Sequence, residues 1–189
     1  AGILAEFGKI ICISTGHFFR DKGKRLCLQV HSLYGHNEPE LLRAFITRTQ
    51  QFNHRKKIFE FAGHNIREFD IPYICRRLTV QRMPLPDFLQ LHNKKPWETQ
   101  LLDTLNWWKF GDYKNYISLK LLLAVLGLPS AKEEMDGSRV QDVYYKDQNL
   151  AGIAEYCAGD VEAVARVILA FRQDEPGPLT RVINEFTLI

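Results

Sequence analysis

Two aspartates and a tyrosine stand where acid chemistry can be arranged. Asp70 falls in the stretch Ala62-Gly63-His64-Asn65-Ile66-Arg67-Glu68-Phe69-Asp70-Ile71-Pro72-Tyr73, and Tyr156 and Asp160 fall in Glu155-Tyr156-Cys157-Ala158-Gly159-Asp160. A spacing of four puts Tyr156 and Asp160 on one face of a helix. Upstream of Gly63, Ile58–Ala62 alternates as a short, partly buried strand does. Gly63 lets backbone pass closely at the strand exit. Asp70 then reads as a helix N-cap, with Pro72 where a first turn tolerates a missing N–H. An acid at such a junction either caps the helix or holds a metal at the carboxyl edge of a sheet, where open α/β folds place their sites.

The elements that must position these groups follow from the hydrophobic pattern. The β-branched run Lys9–Thr15 lies in a strand within Gly8–Phe19, and Leu26–His31 is a second strand after the polar turn Arg20–Arg25. Glu38-Pro39-Glu40 opens a helix that runs on through Leu41–Ile46. Leu101–Leu105 reads as a further strand near the same edge. Ser118 caps a helix Leu119–Leu126, which Gly127 stops. Ser130–Arg139 is a polar connector, and Leu150–Phe171 is one helix or two, weakened near Gly159. The segment after Pro176 reads as a short terminal helix.

At 189 residues, with 46% hydrophobic and 25% charged residues, the chain is long enough to bury a core and is most simply one domain, 1–189. A net charge of +3 permits contact with polyanions. Cys12, Cys27, Cys75 and Cys157 form no C-x-x-C pair, so reduced core thiols are expected rather than zinc ligands or disulfides. With no leader and no apolar run long enough to cross a membrane, a cytoplasmic location with no membrane partner is expected.

Asn-x-x-x-Phe-Asp-x-Pro-Tyr (Asn65 to Tyr73) followed by Tyr-x-x-x-Asp (Tyr156 to Asp160) resembles the second and third exonuclease motifs of family B DNA polymerases. More closely, the chain resembles the stand-alone predicted 3′–5′ exonucleases related to that proofreading domain. The resemblance extends over Ala5–Ile10, Lys95-Pro96-Trp97 and Trp108–Asp112. It implies an α/β fold of RNase H-like type, a mixed central sheet flanked by helices in three layers. It also implies that Asp70 and Asp160 are metal ligands, binding two Mg²⁺ or Mn²⁺ ions between them and two further acids. By the same resemblance Tyr156 orients the attacking water, Phe69 packs on the terminal nucleotide and Asn65 makes a polar contact. The substrate implied is a DNA 3′ end, single-stranded or frayed, with RNA also possible.

Each residue also has a plainer reading. Asp70 can be a helix cap, Asp160 a solvated helix acid and Phe69 a core aromatic. Asp103 is expected to be a structural polar residue. Trp97, Trp107 and Trp108 read as packing residues with exposed edges. The runs His54–Lys57 and Lys94-Lys95 are possible phosphate contacts, though loop charges are usually only solvated. One departure stands out: the family's first motif, Asp-x-Glu on the first strand, does not occur ahead of Gly8, where Glu6 has Leu4 two residues before it. The chain opens on Ala, so either that strand lies upstream or the motif has been lost. In the first case Gly8–Phe19 and Ile58–Ala62 should not pair with each other, because the first strand belongs between them. Two readings compete with an exonuclease: a catalytically silent nucleic-acid-binding module, and a protein-interaction domain using the Trp-rich region Lys95–Asp112.

Overall fold

Strands β1 (Cys12–Arg20) and β2 (Leu26–Tyr34) form an antiparallel hairpin in which Ile13 faces Leu33 and Gly16 faces Val30. The turn is held by Asp21, whose Oδ1 accepts the N–H groups of Gly23 and Arg25 at 2.9 Å each, and Lys24 turns the chain at φ 62°. The computed structural model describes residues 4–55, 60–129, 137–173 and 178–189. Residues 56–59 and 130–136, the start of the expected third strand and most of the polar connector, lie outside these, as do the side chains of His54–Lys57.

Alternation along β2 sorts the core into two layers. Leu33 packs with Leu41, Leu42 and Phe45 of α1 (Glu38–Arg55). Leu28 and Val30, of the opposite parity, pack with Ala158 and Ala165 of α6 (Leu150–Phe171). Leu41 and Leu42 are wholly buried, each contributing about 2 kcal/mol by removal from water. Small residues let α6 lie close to the sheet: a Cβ at Gly16 would come within 2.7 Å of Val161. Asn149 caps α6, its Oδ1 accepting from Gly152 N at 2.9 Å, and the helix then runs unbroken through Gly159.

The remaining strands are β3 (Phe61–Gly63), β4 (Leu101–Asp103) and β5 (Arg181–Leu188). β5 replaces the expected terminal helix. Its β-branched and aromatic residues pair in parallel with β2 from Cys27↔Arg181 to Tyr34↔Leu188, covering an edge that would otherwise be bare. The expected strand Leu101–Leu105 ends at Asp103, because the Asp103 carboxylate accepts from Leu105 N at 3.0 Å and starts α3 (Thr104–Lys109). α4 (Leu119–Val125) is capped by Ser118 as expected, and α5 (Val140–Tyr145) packs Val143 beside Ile153 of α6.

The strands form two groups, β1-β2-β5 and the parallel pair β3-β4. As expected, β1 and β3 are not neighbours, and among the described residues each has a strand on one side only. This mixed α/β architecture is consistent with an RNase H-like exonuclease fold.

Candidate active site

The turn between β3 and α2 (Asp70–Val80) is built on a carboxylate from β4. Asp103, buried, accepts the backbone N–H of Asn65 at 2.9 Å on Oδ1 and that of Arg67 at 3.2 Å on Oδ2, besides capping α3. With its oxygens spent on three N–H groups it is a structural acid, as expected. Asn65 sits in the left-handed region at φ 60°, which its short polar side chain tolerates, and its carbonyl accepts from Phe69 N at 3.0 Å. Gly63 serves side-chain packing rather than backbone approach: a Cβ there would meet Ile66 at 2.7 Å.

Asp70 is the first helical residue of α2 rather than its N-cap. Phe69 holds the cap position with no side-chain cap bond, and Ile66 O already accepts Ile71 N at 3.2 Å. The Asp70 carboxylate is therefore not consumed by capping, while Pro72 lies in the first turn as the spacing predicts. Phe69 is exposed, its ring 5.8 Å from that of Tyr73.

From the other half of the chain, α6 brings Tyr156 and Asp160. Asp160 is half-buried, and desolvation pushes its carboxyl up to about 6 against a hydrogen bond from the Tyr156 side chain. Asp70 is likewise raised to about 6, chiefly because protein crowds its carboxyl, with the negative charges of Asp103 and Asp160 adding to the effect. Asp70 nonetheless keeps an open, solvent-facing side, so it lies at the surface rather than in the core. Two acids separated widely in sequence thus share one electrostatic environment. Cys157, beside Tyr156, hydrogen-bonds Cys12 of β1. That bond lowers Cys12 and, with burial, raises Cys157.

A family model described as a predicted 3′–5′ exonuclease related to the exonuclease domain of PolB matches residues 3–173. The chain belongs to this exonuclease family. No curated protein matches it.

Within this family member, Asp160 takes a hydrogen bond from Tyr156 and its charge acts on Asp70, while Asn65 and Phe69 form the turn leading to Asp70. Among the described residues no three His, Cys, Asp or Glu side chains gather into a metal-binding group.

Sequence reasoning passed over two supports of the site. His64 donates from Nε2 to Ile117 O at 2.8 Å and meets Thr104 Oγ1 at 3.0 Å through Nδ1, tying the β3 turn to the segments around α3 and α4. Glu38 and Arg77 form a buried pair at 2.9 and 2.6 Å. Glu38 also accepts from Ile10 N and Gln81, and Arg77 donates to Ala5 O, which fixes α2 against α1. Burial works to raise the Glu38 carboxyl, but these hydrogen bonds outweigh it and hold it below its ordinary value. Only an acid and an arginine 39 positions apart signal this in sequence, and nothing local marks them as partners. An open recess of about 650 Å³ lies over this pair and shares no residue with the acid site.

Of the tryptophans, Trp107 packs edge-on against Phe171 at 5.4 Å and Trp108 joins the α4–α6 cluster, as expected. Trp97 is instead largely exposed, with Lys95 Nζ 5.3 Å from its ring centre.

Proposed function

We propose that the protein is a metal-dependent 3′–5′ exonuclease that hydrolyses the terminal phosphodiester of a nucleic acid, DNA in preference, and releases mononucleotides. One observation carries this reading: Asp70 and Asp160, from elements far apart in sequence, share an electrostatic environment with a tyrosine hydroxyl on one of them. Two carboxylates suit a Mg²⁺ or Mn²⁺ ion that keeps several waters and takes other oxygens from substrate phosphate. Asp70 and Asp160 would hold it. A second ion calls for acids beyond these two, the part assigned by resemblance to Asp-x-Glu. When bound, such ions neutralise phosphate charge and supply hydroxide near neutral pH.

The protein's own groups do the positioning. Asp70 and Asp160 must be ionised to ligate, so activity rises as pH passes their values near 6. The Tyr156 hydroxyl, half-buried beside Asp160, orients the water whose oxygen attacks phosphorus. The P–O3′ bond breaks, the shortened strand leaves with a 3′-hydroxyl, and the released nucleotide keeps the 5′-phosphate. Phe69 presents an exposed ring at the start of α2 for the terminal base. Asn65 shapes the turn that sets Phe69 and Asp70.

The decisive experiment incubates the purified protein with a 5′-labelled single-stranded oligonucleotide and magnesium or manganese. A ladder shortening from the 3′ end, lost on Asp160→Ala, is expected. Binding without cleavage returns the silent binding module, and wild-type-like cleavage by Asp160→Ala overturns the assignment.

A further inference from the structure

Between α3 and α4 the chain makes an arc in which Phe110, Tyr113 and Tyr116 are 83%, 87% and 66% exposed. Rings left this bare in a short segment call for an explanation, since burial would reward them. The arc is not a loose loop. Asp112 N bonds Lys109 O at 2.7 Å, Asn115 N bonds Asp112 O at 3.1 Å, and Asp112 Oδ1 accepts Lys114 N at 3.2 Å. Phe110 itself holds φ 44°, a left-handed conformation that suits Gly or Asn and strains a bulky residue, with Gly111 following at φ 89°. That strain presents an aromatic ring to solvent, with a tilted contact to the ring of Phe171 at 6.4 Å between centroids. Strain kept without burial points to a use outside the fold.

We propose that this arc is the platform on which the single strand leading to the 3′ end lies, its bases stacked on the three rings and its phosphates near Lys109 and Lys114. The inference rests on the exonuclease reading for its direction. Both ends of the arc are fixed to the candidate site. α3 is capped by Asp103, which also holds the turn before Asp70. Ile117 is bonded to His64 in that same turn. The composition selects the occupant. Rings three residues apart, with Lys109 ahead of the first and Lys114 between the second and third, match bases alternating with phosphates. The core of a protein-docking face is depleted of lysine and aspartate, whereas this segment sets Lys109, Asp112 and Lys114 among its rings. Asp112 is the one acid between Lys109 and Tyr116.

The test measures fluorescence anisotropy of a labelled oligo(dT) with the whole chain, in EDTA so that nothing is cut. The triple variant Phe110→Ala/Tyr113→Ala/Tyr116→Ala should bind roughly 10- to 100-fold more weakly, while Tyr113→Phe and Tyr116→Phe keep wild-type affinity because stacking needs the ring alone. Lys114→Gln should lower the log–log salt slope by about 0.7, one phosphate contact on a single strand. This second variant holds the test open if the triple variant misfolds, which circular dichroism reveals. Wild-type affinity in a folded triple variant, or an unchanged salt slope, overturns the arc. So does a chain that binds no oligonucleotide and instead self-associates or captures protein through these rings. A chain that binds through the arc yet never cuts with added metal removes the catalytic reading alone, and one that cuts while the triple variant binds normally removes the arc alone.

Discussion

Tyr156 hydrogen-bonds Asp160 one helical turn further along α6, and this contact opposes the burial that raises the Asp160 carboxyl. The bond favours the ionised acid, so removing it should push the acid higher. Tyr156→Phe keeps the ring and loses the hydroxyl. Turnover should fall by about 10²-fold or more with little change in oligonucleotide binding. The acidic limb of the pH–rate profile should move to higher pH. A defect confined to binding would make Tyr156 a substrate contact instead.

The raised acids weaken the fold above their titration range. Between 3.8 and about 6 the folded chain retains a proton on Asp160 that the unfolded chain has released, so stability falls as pH rises through this window. Below it the penalty is absent, and above it the penalty is complete. Asp160→Asn should therefore stabilise the protein near pH 8 by on the order of 1–2 kcal/mol, discounted for partial solvent access, and do nothing near pH 3.5. Chemical denaturation at both pH values measures this, and an equal effect at both would refute it.

A divalent cation bound by Asp70 and Asp160 would offset the desolvation that raises both acids. Magnesium or manganese at about a hundred times its dissociation constant should stabilise the chain by about 2.7 kcal/mol. Asp70→Asn should remove most of that gain. Differential scanning calorimetry with calcium and sodium as controls distinguishes a built site from general screening.

The buried Glu38–Arg77 pair predicts an asymmetric double-mutant cycle. Arg77→Met leaves Glu38 charged and buried, costing about 3–5 kcal/mol. Adding Glu38→Leu should recover much of that loss, since no charge is then left uncompensated. Additive losses in urea denaturation would show that the pair does not act as a unit.

The long-periodicity elements could be read directly from sequence: α1, α6, the β1–β2 hairpin and the Ser118 cap all carry their own local signals. β5 could not, because Arg181–Leu188 becomes a strand only by pairing with β2, far away in sequence. Nor could the turn from β4 to α3. Leu101–Leu105 is apolar enough for a strand, and the break comes from Asp103 choosing Leu105 N as a partner. At the candidate site, residue types and spacing single out Asp70, Tyr156 and Asp160. The one-residue shift of Asp70 from cap to first turn depends on the Ile66 carbonyl, a contact the spacing does not encode. Asp103 reads as a structural acid from its place on β4, but its partners Asn65 N and Arg67 N do not, and His64 works through Thr104 and Ile117 with no pattern at all.

The separation of β1 from β3 has a consequence for how the molecule comes apart. Asp70 hangs from the β3–β4 pair, and Asp160 rides on the helix packed over β1 and β2. No ladder hydrogen bond joins the two groups among the described residues, so they are candidates for separate cooperative units of unfolding. A ligand held between the two carboxylates would then act as a clasp. Amide exchange in β3 and β4 should slow when it binds, far more than in the β1–β2 hairpin, which already carries its own ladder.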